Sequence, residues 1–267
     1  MRKLLLAVIF ASLGAGSVLA ADMAARPYTK APPVIDPVYN WTGFYAGVNV
    51  GAVFSRSEFD YIPSNFFAIT PGLGPDGTVR FNRTGFTGGG QAGYNWQAGK
   101  FVLGVEGDIN YTDVRGSGSI TRAVAPGLPN GYTVSESSKS DWLATARLRA
   151  GITGGNALFY VTGGLAVADY NFTQTSFFPN CPCGVSTSVT GTKAGWTAGG
   201  GVEYAFTPAW SVKAEYLYVD LGSASFSDNL AAGGFPAASF THNTRLTESI
   251  GRFGVNYRWG GPVVAKY

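Results

Sequence analysis

The sequence predicts an all-β chain, folded as an eight-stranded antiparallel up-and-down transmembrane β-barrel. Apolar and polar residues alternate with period two in eight stretches, as strands with two unlike faces require. The connections between those stretches alternate long and short along the whole chain. After residue 20, no apolar run approaches the roughly 18 residues that a membrane helix needs, so a membrane-spanning reading must use strands. Composition agrees with this. There are 38 Gly and 14% aromatic residues, and the 13% charged fraction is well below the average of about 25% for soluble domains.

The clearest stretch is the last, Arg245 to Trp259 (RLTESIGRFGVNYRW). From Arg252 onward, Phe253, Val255, Tyr257 and Trp259 face one way, and Arg252, Gly254, Asn256 and Arg258 the other. A soluble sheet turns its apolar face to a core, whereas a membrane barrel turns it to lipid and points its polar face into the lumen. One strand does not choose between the two. The other seven do.

At the start of the chain, Arg2 and Lys3 precede an apolar run from Leu4 to Phe10, and Ser17-Val18-Leu19-Ala20 offers a small-residue cleavage site. Residues 1–20 therefore read as a secretory signal peptide. Removing it lowers Lys+Arg from 19 to 17 against 16 Asp+Glu, a net charge of +1. That balance, with no clustered basic face, excludes a nucleic-acid partner. Residues 21–40 hold Pro27, Pro32, Pro33 and Pro37 and read as an extended periplasmic linker. The barrel domain is expected over 41–267.

The remaining strands are expected near 44–53, 84–96, 101–113, 141–152, 158–172, 193–206 and 210–221. In the first, Phe44, Ala46, Val48, Val50 and Ala52 oppose Tyr45, Gly47, Asn49 and Gly51. In the third, Phe101, Leu103, Val105, Ile109 and Tyr111 oppose Glu106, Asp108 and Asn110. Short links at 97–100, 153–156 and 207–209 are tight-turn material. Long polar links are expected at 54–83, 114–140, 173–192 and 223–244. An up-and-down meander with unlike rims gives this alternation, short turns on the periplasmic side and long loops outside. Trp96, Phe101, Phe206, Trp210 and Trp259 then gather at the short-turn rim, where amphipathic rings form an interfacial girdle. Phe86–Trp96 (FTGGGQAGYNW) also resembles Trp196–Phe206 (WTAGGGVEYAF), as repeated hairpin units would. Their Gly clusters mark close strand approach, not a phosphate loop.

Eight strands leave an interior just wide enough for side chains to fill. The expected lumen charge network is Glu106, Asp108, Glu203 and Glu215 with Arg147, Arg149, Lys213, Arg252 and Arg258. Charges enclosed in this way must pair, which favours a structural network over a conducting path or an acid–base pair. His242, the only histidine, falls in the last long link near Asp228 and Ser239, and nothing there fixes a catalytic triad. Cys181 and Cys183, the only cysteines, make a poor metal site and fit either a small local disulfide or a pairing between molecules in an oxidising compartment. No catalytic residue and no cofactor is expected.

Two segments carry a family resemblance. Asn40-Trp41-Thr42-Gly43-Phe44-Tyr45-Ala46-Gly47 after a Pro-rich lead, and Gly254-Val255-Asn256-Tyr257-Arg258-Trp259 with the tail to Tyr267, resemble the alphaproteobacterial outer-membrane immunogenic proteins, including the RopB-like porin family. The resemblance implies an OmpA-like barrel in the outer membrane of a Gram-negative bacterium, without a peptidoglycan-binding domain. It implies envelope integrity and surface antigenicity as roles, with haem binding or limited permeation in some relatives, and it carries no catalytic residues. The implied partners are outer-membrane lipid, lipopolysaccharide and the barrel insertion machinery, whose aromatic signal is either Trp259 or Tyr267. Oligomeric state stays open.

Overall fold

The computed structural model describes residues 39–65, 77–122, 132–177, 179, 184–229 and 238–259. The expected signal peptide, residues 21–38 of the expected linker, Cys181, Cys183 and Tyr267 lie outside the described residues. Eight strands follow in order: β1 (Gly43–Asn65), β2 (Gly77–Ala98), β3 (Phe101–Arg122), β4 (Tyr132–Gly154), β5 (Ala157–Phe177), β6 (Val185–Ala205), β7 (Trp210–Asn229) and β8 (Ala238–Arg258). Each runs antiparallel to the next, and β8 pairs back on β1, with Val48 opposite Val255, to close the barrel.

The short turns are as tight as the spacing predicts. Ala98 pairs with Phe101 and Gly154 with Ala157, leaving two-residue turns at Gly99-Lys100 and Gly155-Asn156. Gly99 and Gly155 sit at φ 62° and 61°, a left-handed conformation that glycine reaches without a Cβ clash.

Each sequence-assigned face keeps its side. Phe44, Val48, Phe101, Leu103, Ile109, Leu148, Val161, Leu165 and Phe253 are exposed on the outer wall, while Asn49, Gln91, Glu106, Arg147 and Arg252 are buried inside. Trp96, Phe101, Phe206, Trp210 and Trp259 stand exposed around the short-turn rim. Several of these rings meet edge-on or tilted, as in Tyr94 with Trp96 at 4.6 Å and Tyr257 with Trp259 at 5.1 Å. On β3 the outer apolar residues run from Phe101 to Tyr111. Ten residues at about 3.3 Å each, tilted by roughly 40°, give a band about 25 Å tall, the height of a bilayer's apolar layer.

The strands are longer than the alternation predicts. The long links contract to 66–76, 123–131, 178–184 and 230–237, because every strand extends upward past the lipid band. Two physical changes hid these extensions. First, polarity inverts. On β1 the outer face passes from Val48, Val50 and Phe54 to Arg56 and Glu58, while the inner face passes from Tyr45 and Asn49 to Val53 and Phe59. Second, register slips interrupt the period of two near Tyr111/Val114, Lys139/Leu143 and Asp220/Ser223. In β4 the inward positions change from Ser138 and Ser140 to Leu143 and Thr145 across such an irregularity.

The lipid face yields a direct prediction. Val48→Arg, at a residue 65% exposed, is expected to destabilise the protein by about 2–4 kcal/mol in a bilayer. A lowered urea midpoint for folding into liposomes would show it. Arg56 lies on the same face above the band, where its exposed guanidinium stands outside the apolar layer.

Candidate functional site

The interior is filled in three tiers, and the middle one brings the sequence-assigned charges together. Glu106 and Asp108 project from β3, Arg147 and Arg149 from β4, Glu203 from β6, Lys213 and Glu215 from β7, and Arg252 from β8. Four acids meet four bases, so the layer is neutral. Glu106 is its hub. Lys213 Nζ donates to both carboxylate oxygens at 3.0 and 2.9 Å, Arg147 pairs with Oε1, and Arg149 Nη1 lies 3.5 Å from Oε2. Arg147 also reaches Asp108 at 2.8 Å and Glu215 at 3.1 Å. Arg252 bridges the same two acids, at 3.1 Å from Asp108 and 2.6 Å from Glu215. Arg149 holds Glu203 at 2.7 Å.

Neutral groups complete the coordination that burial demands. Tyr45 donates to Glu106 at 2.8 Å and accepts from Arg149 at 2.7 Å. Tyr160 donates to Glu215 at 2.9 Å, and the Arg149 guanidinium lies over its ring, 4.0 Å from the centroid. Thr145 donates to Asp108, and Ser211 and Asn256 donate to Glu203. Glycines on the inner wall make room for these long side chains. A Cβ on Gly93 would lie 2.5 Å from the Tyr45 hydroxyl, and one on Gly47 would lie 2.2 Å from Asn256 Oδ1. Much of the unusual Gly content thus serves the interior.

Below this layer the short-turn mouth is covered. Trp41, only 2% exposed, packs with Tyr39, Val102, Leu158, Tyr160 and Ala205. The Trp41 backbone N–H donates to Gln97 Oε1 at 2.6 Å, and Tyr39 donates to the Pro208 carbonyl at 3.2 Å. Burial raises the Tyr39 hydroxyl pKa above its ordinary value, against the opposing pull of Arg258. Arg258 stands apart from the charge layer. It lies over the Tyr39 ring at 4.4 Å and donates to the Pro208 carbonyl at 2.9 Å, and it makes no ion pair among the described residues.

Above the layer lies an apolar tier that the sequence reading missed. Val53, Phe59, Val114, Val134, Leu143, Phe172, Leu217, Val219 and Ile250 are buried there. Aromatic rings cross the lumen through it. Phe81 stacks on Phe59 at 5.5 Å, Phe59 meets Phe172 edge-on at 5.2 Å, Phe172 faces Phe226 at 6.1 Å, and Phe226 stacks on His242 at 4.9 Å. Two further polar pairs sit in this tier. Arg83 Nη2 lies 2.9 Å from Glu248, and His242 Nδ1 lies 3.2 Å from Glu136. His242 is therefore not a loop residue. It is fully buried in β8, opposite Phe226. Among the described residues, no group of three His, Cys, Asp or Glu side chains is placed to hold a metal. The signal for these inner pairs was the inverted face, legible only once the strands are known to continue.

Comparison with known proteins agrees with the fold. A family model for the outer membrane protein beta-barrel domain matches residues 8–259. The 31 kDa outer-membrane immunogenic protein of Brucella melitensis is 36% identical over 233 residues, covering 85% of this chain and 90% of that protein. A 22 kDa outer membrane protein of Rhizobium leguminosarum bv. viciae is 29% identical, covering 79% and 78%. Among solved structures, the outer membrane protein OprG from Pseudomonas aeruginosa gives a TM-score of 0.47 at 13% identity, covering 83% of this chain and 98% of that one. The chain belongs to the outer-membrane β-barrel protein family, with outer-membrane immunogenic proteins of alphaproteobacteria among its relatives, and its place is the outer membrane of a Gram-negative cell.

Proposed function

We propose that the protein is a structural component of the outer membrane, with a closed lumen and four longer connections presented to the exterior, serving envelope integrity and surface display. The carrying observation is the filled interior. A neutral eight-charge layer lies between a Trp41 cover on one side and an aromatic bar on the other. Ions entering such a lumen would have to displace charges already paired at 2.6–3.1 Å between side chains that are buried from solvent. On this reading its partners are the surrounding lipid and lipopolysaccharide. The insertion machinery takes up a final strand whose exposed Trp259 is tied to Phe44 by a 2.9 Å backbone hydrogen bond.

Planar-bilayer recording of the folded protein in molar potassium chloride tests this. The expected record has no stable conductance steps. Reproducible steps in the unmodified protein would overturn the closed-lumen reading in favour of a small channel.

A further inference from the structure

Above the lipid band, the outer wall is not decorated evenly. On β1 and β2 it is charged, with Arg56, Glu58 and Arg80, and Arg80 Nε lies 3.0 Å from Glu58. On β3 to β6 the charges stop at Arg115 and Lys139. Above them the outward positions up to Thr121, Thr133, Thr175 and Ser186 are all hydroxyls.

Register aligns these hydroxyls. Ser117 sits beside Ser137, Ser137 beside Thr173, and Thr173 beside Ser188. One step higher, Ser119, Ser135, Thr175 and Ser186 form a second row. Neighbours touch, with Thr173 and Ser188 hydroxyls 2.7 Å apart and Thr175 and Ser186 3.2 Å apart. Phe177 caps the face, its ring more than half exposed beside Thr133. Two adjoining shallow grooves of about 460 and 340 Å³ run over these rows, and the larger one takes in the cations Arg115 and Lys139 at its lower edge.

Solvated surfaces ordinarily carry about a quarter to a third charged residues, so a charge-free hydroxyl field four strands wide needs a different account. A hydroxyl donates once and accepts twice, and rows of them at the strand spacing of about 4.8 Å suit a partner that is itself dense in hydroxyls. Phe177 offers an apolar plate to the C–H face of a sugar ring. Height narrows the source. Ser117 lies six residues beyond Tyr111, the last outer aromatic of the lipid band on β3. That is about 20 Å along the strand and roughly 15 Å in elevation at the usual tilt. Sugars attached to the outer leaflet's own lipid stand at that level, beside the wall and below the loop tips.

We propose that the outer face of β3 to β6 binds the core oligosaccharide of the lipopolysaccharide packed beside the barrel. This rests on the orientation given under the proposed function, with the long connections outside. The test is a titration of the full mature protein, folded in detergent, with lipid-free core oligosaccharide released from rough lipopolysaccharide by mild acid. Saturable binding is expected, weakened at least tenfold in the combined variant Ser137→Ala, Thr173→Ala, Thr175→Ala. It should be unchanged in a control variant on β7 and β8, Ser225→Ala, Ser227→Ala, Thr241→Ala. The shift in gel mobility of unboiled protein reports that both variants are folded. Unweakened binding in the first variant, equal loss in the control, or equal affinity for a neutral glucan would each overturn the proposal. Orientation is tested separately. Ser188→Cys, in a background with Cys181→Ser and Cys183→Ser, should react with a membrane-impermeant maleimide on intact cells. Absence of labelling would overturn the orientation, whatever the titration shows.

Discussion

Glu106→Gln is expected to destabilise the folded barrel by about 3–5 kcal/mol, because it leaves buried cations short of their shared anion. Lys213 loses both of its carboxylate contacts, and Arg147 and Arg149 each lose one. The layer goes from four acids and four bases to three and four, with nowhere for water to compensate. Urea unfolding in liposomes, followed by the mobility of unboiled protein on a gel, measures the loss. Charge balance gives the decisive comparison. Glu106→Gln combined with Lys213→Met restores three against three and should recover more than half of the stability lost. If the double variant is as unstable as the sum of the two singles, the layer is a set of independent contacts and its neutrality does not matter.

Phe172→Ala should cost about 3–5 kcal/mol by a different route, the removal of a large ring from a packed interior. Phe172 comes from β5 and is the ring that joins Phe59 to Phe226 across the lumen. It is fully buried, and Val53, Val134 and Leu217 belong to the same cluster. The surrounding strands are tied by hydrogen-bond ladders and cannot collapse far into the space. The same measurement applies, and a loss below about 1 kcal/mol would mean that the upper tier is loosely packed. Bilayer recordings of this variant should stay silent, since the charge layer lies beneath the removed ring.

The lower half of this architecture was legible because lipid imposes one rule on it. Every residue from Phe44 to Ala52 obeys a strict alternation, as does the run from Leu103 to Tyr111, and each side chain falls on its assigned wall. Eight of the nine expected interior charges meet in one layer for the same reason: a long charged residue within the band has only the lumen to enter. Arg258 escapes because it lies at the rim, where a carbonyl and a ring can hold it. The upper half was illegible because the rule reverses. There Phe59 and Val79 go inside, and Arg56 and Ser117 outside. Slips near Lys139 and Asp220 shift the period in the very segments where the polarity turns over. A reader following one phase sees the strand end. His242 and Glu136 were lost to that error, and so was the pair of Arg83 and Glu248.

The charge layer also bears on how the molecule comes to be assembled. Its contacts join residues far apart in the chain, Glu106 to Lys213 over 107 positions and Asp108 to Arg252 over 144. Within the layer, Glu106 and Asp108 with Arg147, Glu106 with Arg149, and Glu215 with Arg252 join a strand to its successor, and the other ion pairs cross the lumen between strands that are not neighbours in sequence. A sheet still open at its seam, with β1 not yet on β8, therefore exposes Arg252 and its acids on a surface that cannot enter lipid cheaply. The same groups become harmless in the step that zips Val48 against Val255. Closure and insertion are thus bound into one event. Half-made barrels stay in the water, and a finished one has no easy way back out.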